Sequence, residues 1–244
     1  MKPKLLITLP CFNEELILEK NFQIIKAFAE LNLLKYDWHI LIIDNASDDK
    51  TYEIAKKLQV QFLELMVSQC LKKGRGVALN TTWLNFPGYD VYSYFDIDLA
   101  TDMKDYHKLL SAIENGDHIA IGSRYVSGSD IKRSPKREFL SRIYNGLLRM
   151  FFGVRFLDAQ CGFKAFHGPS LPVLLAKTKD PGWFWDTEIM IHAQNCGYTV
   201  REIPVSWREI RDELRQSKVS PFQEVARQLK NIAILKWRLL NNGS

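Results

Sequence analysis

The segment YSYFDIDLAT, residues Tyr92–Thr101, carries the most information about this chain. Its alternating aromatic residues predict a buried strand over Asp90–Phe95, and two carboxylates, Asp96 and Asp98, follow at once. Ligands of open α/β sheets bind at the carboxyl ends of the strands. If the chain turns there, both carboxylates can reach one hard divalent cation, which takes oxygen ligands and often shares them with substrate phosphates. The alternative is a solvated loop with an acidic helix cap.

The composition is that of a globular α/β domain with a sizeable core. The chain has 244 residues, 46% of them hydrophobic, and a formal net charge of +5. Its four cysteines are scattered without a C-x-x-C pair, which favours a reducing compartment, and its five dispersed histidines do not support a zinc site. No signal peptide pattern is present, and no apolar run approaches the roughly 20 residues of a membrane-spanning helix. We therefore expect a cytoplasmic protein.

Strand and helix patterns alternate along the chain, which predicts a mostly parallel sheet covered by helices. The predicted strands are Lys4–Leu9, Trp38–Ile43, Val60–Val67, Asp90–Phe95, His118–Gly122 and Val200–Trp207, and Gln160–Ala165 is predicted to return to the sheet. The predicted helices run from Asn13 or Glu14 to about Leu31, from Asp48 or Asp49 to about Leu58, and over Val77–Leu84, Tyr106–Glu114, Phe139–Phe152, Trp185–Asn195 and Phe222–Leu240.

Four polar loops follow predicted strands at one end of this sheet. They are Pro10–Glu14, Asp44–Asp49, Lys72–Gly76 and Asp96–Asp98. Their contents suit a nucleoside diphosphate: Glu14 and Asp44 can accept hydrogen bonds from a base or ribose, Gly74 allows close backbone approach, and Lys73 or Arg75 adds positive charge. Each also has a structural explanation, as a helix N-terminus for Glu14 or a turn for Asp44 and Gly74. Neither G-x-x-x-x-G-K-[ST] nor G-x-G-x-x-G occurs.

Two amphipathic basic helices are predicted. The region Arg124–Arg155 contains eight Lys or Arg against two acidic residues, and apolar residues recur within it at helical spacing. These apolar residues are Phe139, Ile143, Leu147 and Met150. Helix Phe222–Leu240 has a similar stripe, containing Phe222, Val225, Leu229 and Ile232. Each apolar face either enters a membrane interface, with the cations meeting anionic headgroups, or packs on the core. Nucleic-acid binding is disfavoured, because no platform of stacking aromatics accompanies the arginines.

Eight motifs in order and spacing resemble the family 2 glycosyltransferases of the GT-A fold, in particular the polyprenyl- and dolichyl-phosphate sugar transferases. The motifs are LPCFNE (Leu9–Glu14), IIDNASDDKT (Ile42–Thr51), KKGRGVAL (Lys72–Leu79), DIDLAT (Asp96–Thr101), GSRY (Gly122–Tyr125), DAQCGFKAF (Asp158–Phe166), WDTEIM (Trp185–Met190) and REIPVSW with QSK (Arg201–Trp207, Gln216–Lys218). The resemblance implies an α/β, Rossmann-like, mostly parallel sheet, with the basic helices on the acceptor side. It also implies a GT-A catalytic domain over 1–220 and a C-terminal amphipathic helix and tail over 221–244, packed on the domain or at a membrane interface.

The resemblance also implies substrates. DAQCGFK, WDTE and QSKVSPF are closer to the dolichyl-phosphate glucosyltransferases, whereas the mannosyltransferases carry DADLQ, with Gln where this chain has Ala100. We expect glucose transfer from UDP-glucose to a polyprenyl or dolichyl phosphate, with inversion, on the cytoplasmic face of a membrane that the protein binds peripherally. The alternatives are mannosyl transfer from GDP-mannose, transfer to a hydroxyl acceptor, and a non-catalytic membrane-associated scaffold.

Site roles follow from the resemblance as well. The implied donor-binding residues are Pro10, Phe12, Glu14, Asp44, Gly74, Arg75, Asp96, Ile97 and Asp98, and Asp96 and Asp98 would hold Mg²⁺ or Mn²⁺. Arg124, Arg137 and Ser141 would grip the acceptor phosphate, and Lys218 would lie in a loop that closes over the donor. Asp96, Asp98, Arg124 and Arg137 form the implied catalytic set.

The nature of the acceptor decides whether a general base is needed. A phosphate monoester has a second pKa of about 6 and is largely ionised at neutral pH, so it needs positioning only. A hydroxyl acceptor needs a base, and Asp186 and Glu188 are the candidates. The alternative for these two residues is an acidic start of a helix, complementary to the helix dipole.

Overall fold

A computed structural model describes residues 1–209 and 221–241, with side chains described for 1–209 and 227–241. The strands in this part of the chain are β1 (Lys4–Cys11), β2 (Asp37–Asp44), β3 (Leu65–Gln69), β4 (Val91–Phe95), β5 (Ile119–Ser123), β6 (Asp130–Lys132), β7 (Phe163–His167), β8 (Val200–Pro204) and β9 (Ser206–Arg208). The α-helices are α1 (Leu18–Asn32), α2 (Thr51–Gln61), α3 (Arg75–Asn85), α4 (Tyr106–Glu114), α5 (Pro135–Phe152), α6 (Leu171–Lys177), α7 (Trp185–Asn195) and α8 (Pro221–Asn241).

Seven strands form the central sheet, in the order β3-β2-β1-β4-β7-β5-β8. Strands β1 to β4 are parallel where they pair, and β8 is parallel to β5. Strand β7 runs antiparallel between β4 and β5. The prediction of a mostly parallel α/β sheet is therefore confirmed. Strands β6 and β9 form a separate two-stranded sheet.

The core has two layers, one on each face of the sheet. Alternate residues of β2 enter different layers, since Ile40 and Ile42 belong to one cluster of buried side chains and Leu41 and Ile43 to the other. This alternation follows from the two-residue period of a strand. Helices α1, α2 and α4 cover the first layer, whereas α3, α6 and α7 cover the second.

The predicted start of α1 is wrong, near the edge of the sheet where the polar loops lie. Helix α1 begins at Leu18, not at Asn13 or Glu14. Asn13 has a left-handed φ of 57°, and its N–H donates to the Ser47 hydroxyl at 3.0 Å. The N–H of Glu14 donates to the Thr51 hydroxyl at 2.7 Å. These bonds to the loop after β2 keep the segment out of the helix.

Two predicted strands also differ from the structure. The run Val60–Val67 is helical at its start, because α2 continues to Gln61, and β3 occupies only Leu65–Gln69. The run Val200–Trp207 divides into β8 and β9. The division follows from Ser206, whose N–H donates to the Asp105 carboxylate at 2.8 Å and so draws the chain away from the central sheet.

The last helix packs on the second layer with one face. Ile232 and Leu235 of α8 are buried in that layer, whereas Leu229 is 43% exposed. The predicted stripe of α8 is therefore not one buried face, and its members Phe222 and Val225 lie outside the described side chains. The division of the chain at residue 220 stays a prediction. Among the described residues, no helix has the length and apolar content needed to cross a bilayer.

Trp83 of α3 is the centre of an aromatic cluster in the second layer, and we expect Trp83→Ala to destabilise the protein strongly. Its ring lies 5.6 Å from Phe166 and 5.9 Å from Trp185, and its indole N–H donates to the Thr8 hydroxyl at 2.9 Å. Removing a buried Trp costs about 3–5 kcal/mol of unfolding free energy. Urea denaturation measures the loss. The control Trp237→Ala removes a side chain that is 66% exposed and should change stability by less than about 0.5 kcal/mol. Equal losses in both variants would contradict this packing.

Candidate active site

The polar loops meet at one edge of the sheet because their strands are parallel. Cys11 at the end of β1 is paired with Asp44 at the end of β2. Asn45 then ties the loops together: its N–H donates to the Cys11 carbonyl at 2.8 Å, its amide donates to the Lys72 carbonyl at 2.8 Å, and its amide oxygen accepts the Gly74 N–H at 2.9 Å. The sequence contained Asn45 in the second motif, but its linking role depends on contacts that only the fold brings together.

The predicted nucleoside residues line this edge. Asp44 is fully buried, and its Oδ1 has no hydrogen-bond partner among the described residues. A buried acceptor without a donor is unusual and marks a position where a ligand donor fits. Phe12 is 44% exposed, with the Lys73 ammonium 4.8 Å from its ring centre. Pro10 lies inside β1, which continues to Cys11. The prediction that this strand ends at Leu9, before the proline, is therefore wrong.

The two carboxylates of the DID segment lie in a turn after β4. Leu99 has a left-handed φ of 56°, and its N–H donates to the Asp96 carbonyl at 3.2 Å. Burial and the neighbouring charge of Asp96 raise the pKa of Asp98 to about 6. Two carboxylates this close favour a bound cation. Ile97 between them points into the core, so its side chain is not available to a donor.

The residues present fit a divalent cation held jointly with a diphosphate. The Asp96 side chain is 41% exposed and Asp98 accepts the Ala100 N–H at 3.0 Å. Within residues 1–209 and 221–241, no cluster of three or more His, Cys, Asp or Glu side chains is arranged to hold a metal ion. The two carboxylates would therefore supply only part of a coordination shell, and Mg²⁺ usually takes the remainder from water and substrate phosphates.

Arg75 at the start of α3 contacts both the partly exposed Asp96 and the buried Asp186. Its guanidinium forms an ion pair with Asp96, and its Nη1 lies 3.4 Å from the Asp186 carboxylate. Its Cζ is 4.1 Å from the centre of the Trp183 ring. Burial alone would lower the pKa of Arg75, but Asp96 and Asp186 outweigh burial and the pKa is raised. Arg75 is therefore a permanent cation at the edge of the site.

Asp186 lies inside the protein and not on the surface of the site. It is 2% exposed, accepts a hydrogen bond from the Tyr94 hydroxyl, and lies 2.7 Å from the ammonium of Lys164, which is fully buried. Burial raises the pKa of Asp186 and lowers the pKa of Lys164. This buried pair gives Asp186 a structural role in holding Arg75.

Glu188, the other predicted base, is also buried. It accepts the N–H groups of Lys179 at 3.0 Å and Asp180 at 2.7 Å, and it forms an ion pair of 2.9 Å with Arg238 of α8. Burial alone would raise its pKa, but His192, the two N–H groups and Arg238 outweigh burial and lower it. Glu188 thus joins α7 to α8.

Three glycines are explained by close approaches. A Cβ on Gly74 or Gly76 would lie 2.1 Å from a carbonyl oxygen of Pro181 or Asp180, respectively. The atoms that lie close to these two glycines thus belong to the protein's own backbone and not to a ligand. A donor-binding role for Gly74 stays a prediction. A Cβ on Gly162 would lie 2.5 Å from Asp96 Oδ2. The Asp96 carboxylate therefore rests directly on the backbone at Gly162, a contact that no motif revealed.

The predicted acceptor-phosphate residues form a cationic group that lies directly after β5 and in α5. Arg124 donates to the fully buried Asp158 through Nε and Nη2, each at 2.7 Å. This pairing uses two of the five guanidinium N–H groups. Burial alone would raise the pKa of Asp158, but Arg124 outweighs burial and lowers it. Asp158 thus fixes the orientation of Arg124.

Arg133 connects the rest of this cationic group and was not predicted. Its Nη2 donates to the Ser141 hydroxyl at 3.0 Å and to the Arg137 carbonyl at 3.2 Å, whereas Arg137 pairs with Glu209 at 2.8 Å. Burial and the charge of Arg124 lower the pKa of Arg133. The structure therefore links Arg137 and Ser141 through Arg133, while Arg124 and Arg133 both lie against the Trp207 ring, with Cζ 5.9 Å and 5.7 Å from its centre, respectively. Lys218, predicted to close over the donor, lies outside the described residues.

Comparison with known proteins identifies the family. Residues 6–171 match the model of glycosyl transferase family 2. The chain is 33% identical over 235 residues to glycosyltransferase AglD of Haloferax volcanii, covering 96% of this chain and 37% of that protein. It is 30% identical over 244 residues to a dolichyl-phosphate beta-glucosyltransferase of Trichomonas vaginalis, covering 93% of this chain and 72% of that protein. The chain belongs to glycosyltransferase family 2.

Solved structures show the same fold. Glucosyl-3-phosphoglycerate synthase from Mycobacterium tuberculosis, in complex with Mn²⁺, UDP and phosphoglyceric acid, superposes with a TM-score of 0.65 at 16% identity, over 96% of this chain and 77% of that one. Mannosyl-3-phosphoglycerate synthase from Rubrobacter xylanophilus superposes with a TM-score of 0.68 at 17% identity, over 99% of this chain and 75% of that one. The predicted GT-A fold is thereby confirmed.

Gly162→Ala should weaken metal-dependent nucleotide binding, because the new methyl group displaces the Asp96 carboxylate. Loss of a group that orients a metal ligand typically costs about 10- to 100-fold in metal affinity, so we expect UDP affinity in Mn²⁺ to fall by roughly 10- to 100-fold. Overpacking should also lower unfolding free energy by about 1–3 kcal/mol. Calorimetric titration with UDP measures the first effect and urea denaturation the second.

The control Gly146→Ala adds a methyl group within α5, where nothing lies within 4 Å of it. It should stabilise the helix by up to about 1 kcal/mol and leave UDP affinity unchanged. Unaltered UDP affinity in Gly162→Ala would mean that the position of the Asp96 carboxylate does not matter for nucleotide binding.

Proposed function

We propose that the chain transfers a hexose, expected to be glucose from UDP-glucose, to the phosphate of a polyprenyl or dolichyl carrier, with inversion at the anomeric carbon. The observation that carries this proposal is the contrast between the two sides of the site. The acceptor side gathers three arginines, of which Arg137 is 40% exposed, whereas Asp186 and Glu188, the candidate bases, are almost fully buried in ion pairs. Such a site suits an acceptor that is already ionised.

The donor side has the groups that a nucleotide sugar requires. The unpartnered oxygen of Asp44 and the ring of Phe12 suit the nucleoside, with Pro10 and Glu14 beside them. Asp96 and Asp98 would hold Mg²⁺ or Mn²⁺, which when bound supplies the positive charge that neutralises the leaving diphosphate. Arg75 is a fork of fixed donors beside this position, which suits phosphate oxygens.

The acceptor side needs only to position its substrate. A phosphate monoester is largely dianionic at neutral pH, so its oxygen attacks without losing a proton. Arg124 retains N–H groups beyond those given to Asp158 and is held at a fixed angle by that pair. Arg137 and the Ser141 hydroxyl complete the proposed grip on the phosphate.

The exposed side of α5 supports peripheral membrane binding. Phe139, Ile143 and Met150 are 64%, 45% and 68% exposed, and they recur on one stripe of the helix. Arg142 and Arg149 are exposed beside them. The opposite face of α5 packs on the core through Tyr144 and Leu148. A half-buried helix with an exposed apolar stripe and flanking arginines suits the interface of a bilayer with anionic lipids.

Relatives favour this acceptor over the alternatives. Proteins named dolichyl-phosphate beta-glucosyltransferase occur among the relatives from Trichomonas vaginalis and Saccharomyces cerevisiae, the latter 28% identical over 225 residues. A polyprenol monophosphomannose synthase of Mycolicibacterium smegmatis is 30% identical over 188 residues, so mannosyl transfer from GDP-mannose is the second candidate. Transfer to a hydroxyl acceptor is disfavoured by the burial of Asp186 and Glu188. The scaffold alternative is disfavoured because Asp96 and Asp98 are both present.

Calorimetric titration with UDP-glucose, UDP-N-acetylglucosamine and GDP-mannose tests the donor side. We expect UDP-glucose to bind in the presence of Mn²⁺. Binding should be lost in EDTA and in Asp98→Asn, because this substitution removes a charge that the metal ion requires. The control Asp37→Asn removes the same charge from the exposed start of β2 and should leave binding unchanged. Preference for GDP-mannose would make the chain a mannosyltransferase. A folded protein that binds none of the donors would revive the scaffold alternative.

Vesicle cosedimentation tests the membrane surface. The double variant Phe139→Ser with Met150→Ser should bind vesicles that contain anionic lipid at least about tenfold more weakly, because it removes two apolar side chains from the exposed stripe. The control Leu63→Ser changes a residue that is 98% exposed in the loop between α2 and β3 and should bind as the parent does. Undiminished binding by the double variant would show that α5 is not the membrane surface.

A further inference from the structure

Arg75 is already paired with the carboxylate of Asp96, which would bind the metal ion. The guanidinium pairs with Asp96 through Nη2, while Nη1 lies 3.4 Å from the Asp186 carboxylate. A divalent ion on Asp96 would seek the same oxygen atoms, and it would also be repelled by the positive charge of Arg75 at short range. The protein therefore holds a resident cation where the fold leads one to expect a metal ion.

The surroundings of Arg75 keep it in this position. The residue is 9% exposed, and Trp183 covers the guanidinium, with its ring centre 4.1 Å from Cζ. Tyr94 lies on another side, 5.9 Å from Cζ, and Asp186 is itself anchored by Lys164 at 2.7 Å. A buried guanidinium does not give up an acidic partner unless another anion replaces it, because an unpaired buried charge is costly.

We propose that Arg75 competes with the metal ion for Asp96, so that the ion binds firmly only together with the donor diphosphate. The negative charge of the diphosphate replaces Asp96 as the partner of Arg75, and Asp96 is freed for the metal ion. This exchange leaves no buried charge unpaired. The inference rests on the proposed metal and diphosphate site, and it adds that Arg75 makes the binding of metal ion and donor interdependent.

A purely orienting role for Arg75 predicts the opposite effect of its removal. If Arg75 only holds the Asp96 carboxylate in place, loss of the guanidinium disorders a metal ligand and weakens binding of the ion. If Arg75 competes with the ion, loss of the guanidinium frees the carboxylate and removes a repulsive charge, so binding of the ion without nucleotide becomes tighter. The sign of the change separates the two roles.

The experiment measures Mn²⁺ affinity from the electron paramagnetic resonance signal of the free ion, first without nucleotide and then with UDP. In Arg75→Met we expect Mn²⁺ alone to bind at least roughly tenfold more tightly than to the parent protein. UDP should strengthen Mn²⁺ binding less in this variant than in the parent, because the diphosphate has lost its cationic partner. The readout is affinity and does not depend on turnover.

Two further variants complete the design. Arg75→Gln removes the charge but keeps polar groups toward Asp96 and Asp186. It should also tighten Mn²⁺ binding, and it replaces Arg75→Met if circular dichroism shows that variant to be poorly folded. The control Lys35→Met removes the same charge outside the site, from a side chain that is 61% exposed and paired with Glu114 at 2.7 Å. Because exposed charges are screened, its Mn²⁺ affinity without nucleotide should match that of the parent.

Each outcome decides the matter. Unchanged or weaker Mn²⁺ binding without nucleotide in the folded Arg75 variants would overturn the competition, provided that the parent binds Mn²⁺ with UDP. Tighter binding in Lys35→Met as well would mean that net charge alone is responsible and would also overturn it. If the parent does not bind Mn²⁺ even with UDP, the proposed metal and diphosphate site fails, and the inference fails with it.

Discussion

The parallel pairing of β1 with β2 and β4 is the constraint on which the candidate site depends. Ile7 pairs with Ile40 on one side and with Ser93 on the other, so the three strands run together toward the same edge. The loops that follow them must then meet, and Asn45, just after β2, is fastened by three hydrogen bonds to the end of β1 and to the loop after β3. Parallel strands buried on both faces by helices are the means by which α/β sheets create a ligand crevice.

From this edge a line of paired charges runs into the core. Lys164 holds Asp186, Asp186 holds Arg75, and Arg75 holds Asp96, each with a partner of opposite sign. Buried charges persist only when they are paired in this way. The carboxylate at the exposed end is thus fixed by groups deep inside the second core layer, and Gly162 lets it lie against the backbone. The site is preorganised from within the protein.

Local patterns in the sequence predicted much of the fold, and they also singled out the acidic residues of the candidate site. Helix α7 occupies Trp185–Asn195 as predicted, because an acidic start and helical spacing are local signals. What the sequence did not reveal depends on contacts between distant segments. Arg75 and Asp186 are 111 positions apart, and the role of Gly162 exists only because Asp96 lies over it. Asn13 was misassigned to a helix for the same reason, since its partner Ser47 belongs to another loop.

Transfer of labelled glucose from UDP-glucose to a lipid in detergent micelles tests the central claim most directly. With Mn²⁺ present, the account predicts that label enters the organic phase with polyprenyl phosphate but not with the corresponding polyprenol, because the acceptor side is proposed to position an ionised phosphate and the candidate bases Asp186 and Glu188 are buried. Equal transfer to the polyprenol, or binding of UDP-glucose without any transfer to polyprenyl phosphate, would contradict the account.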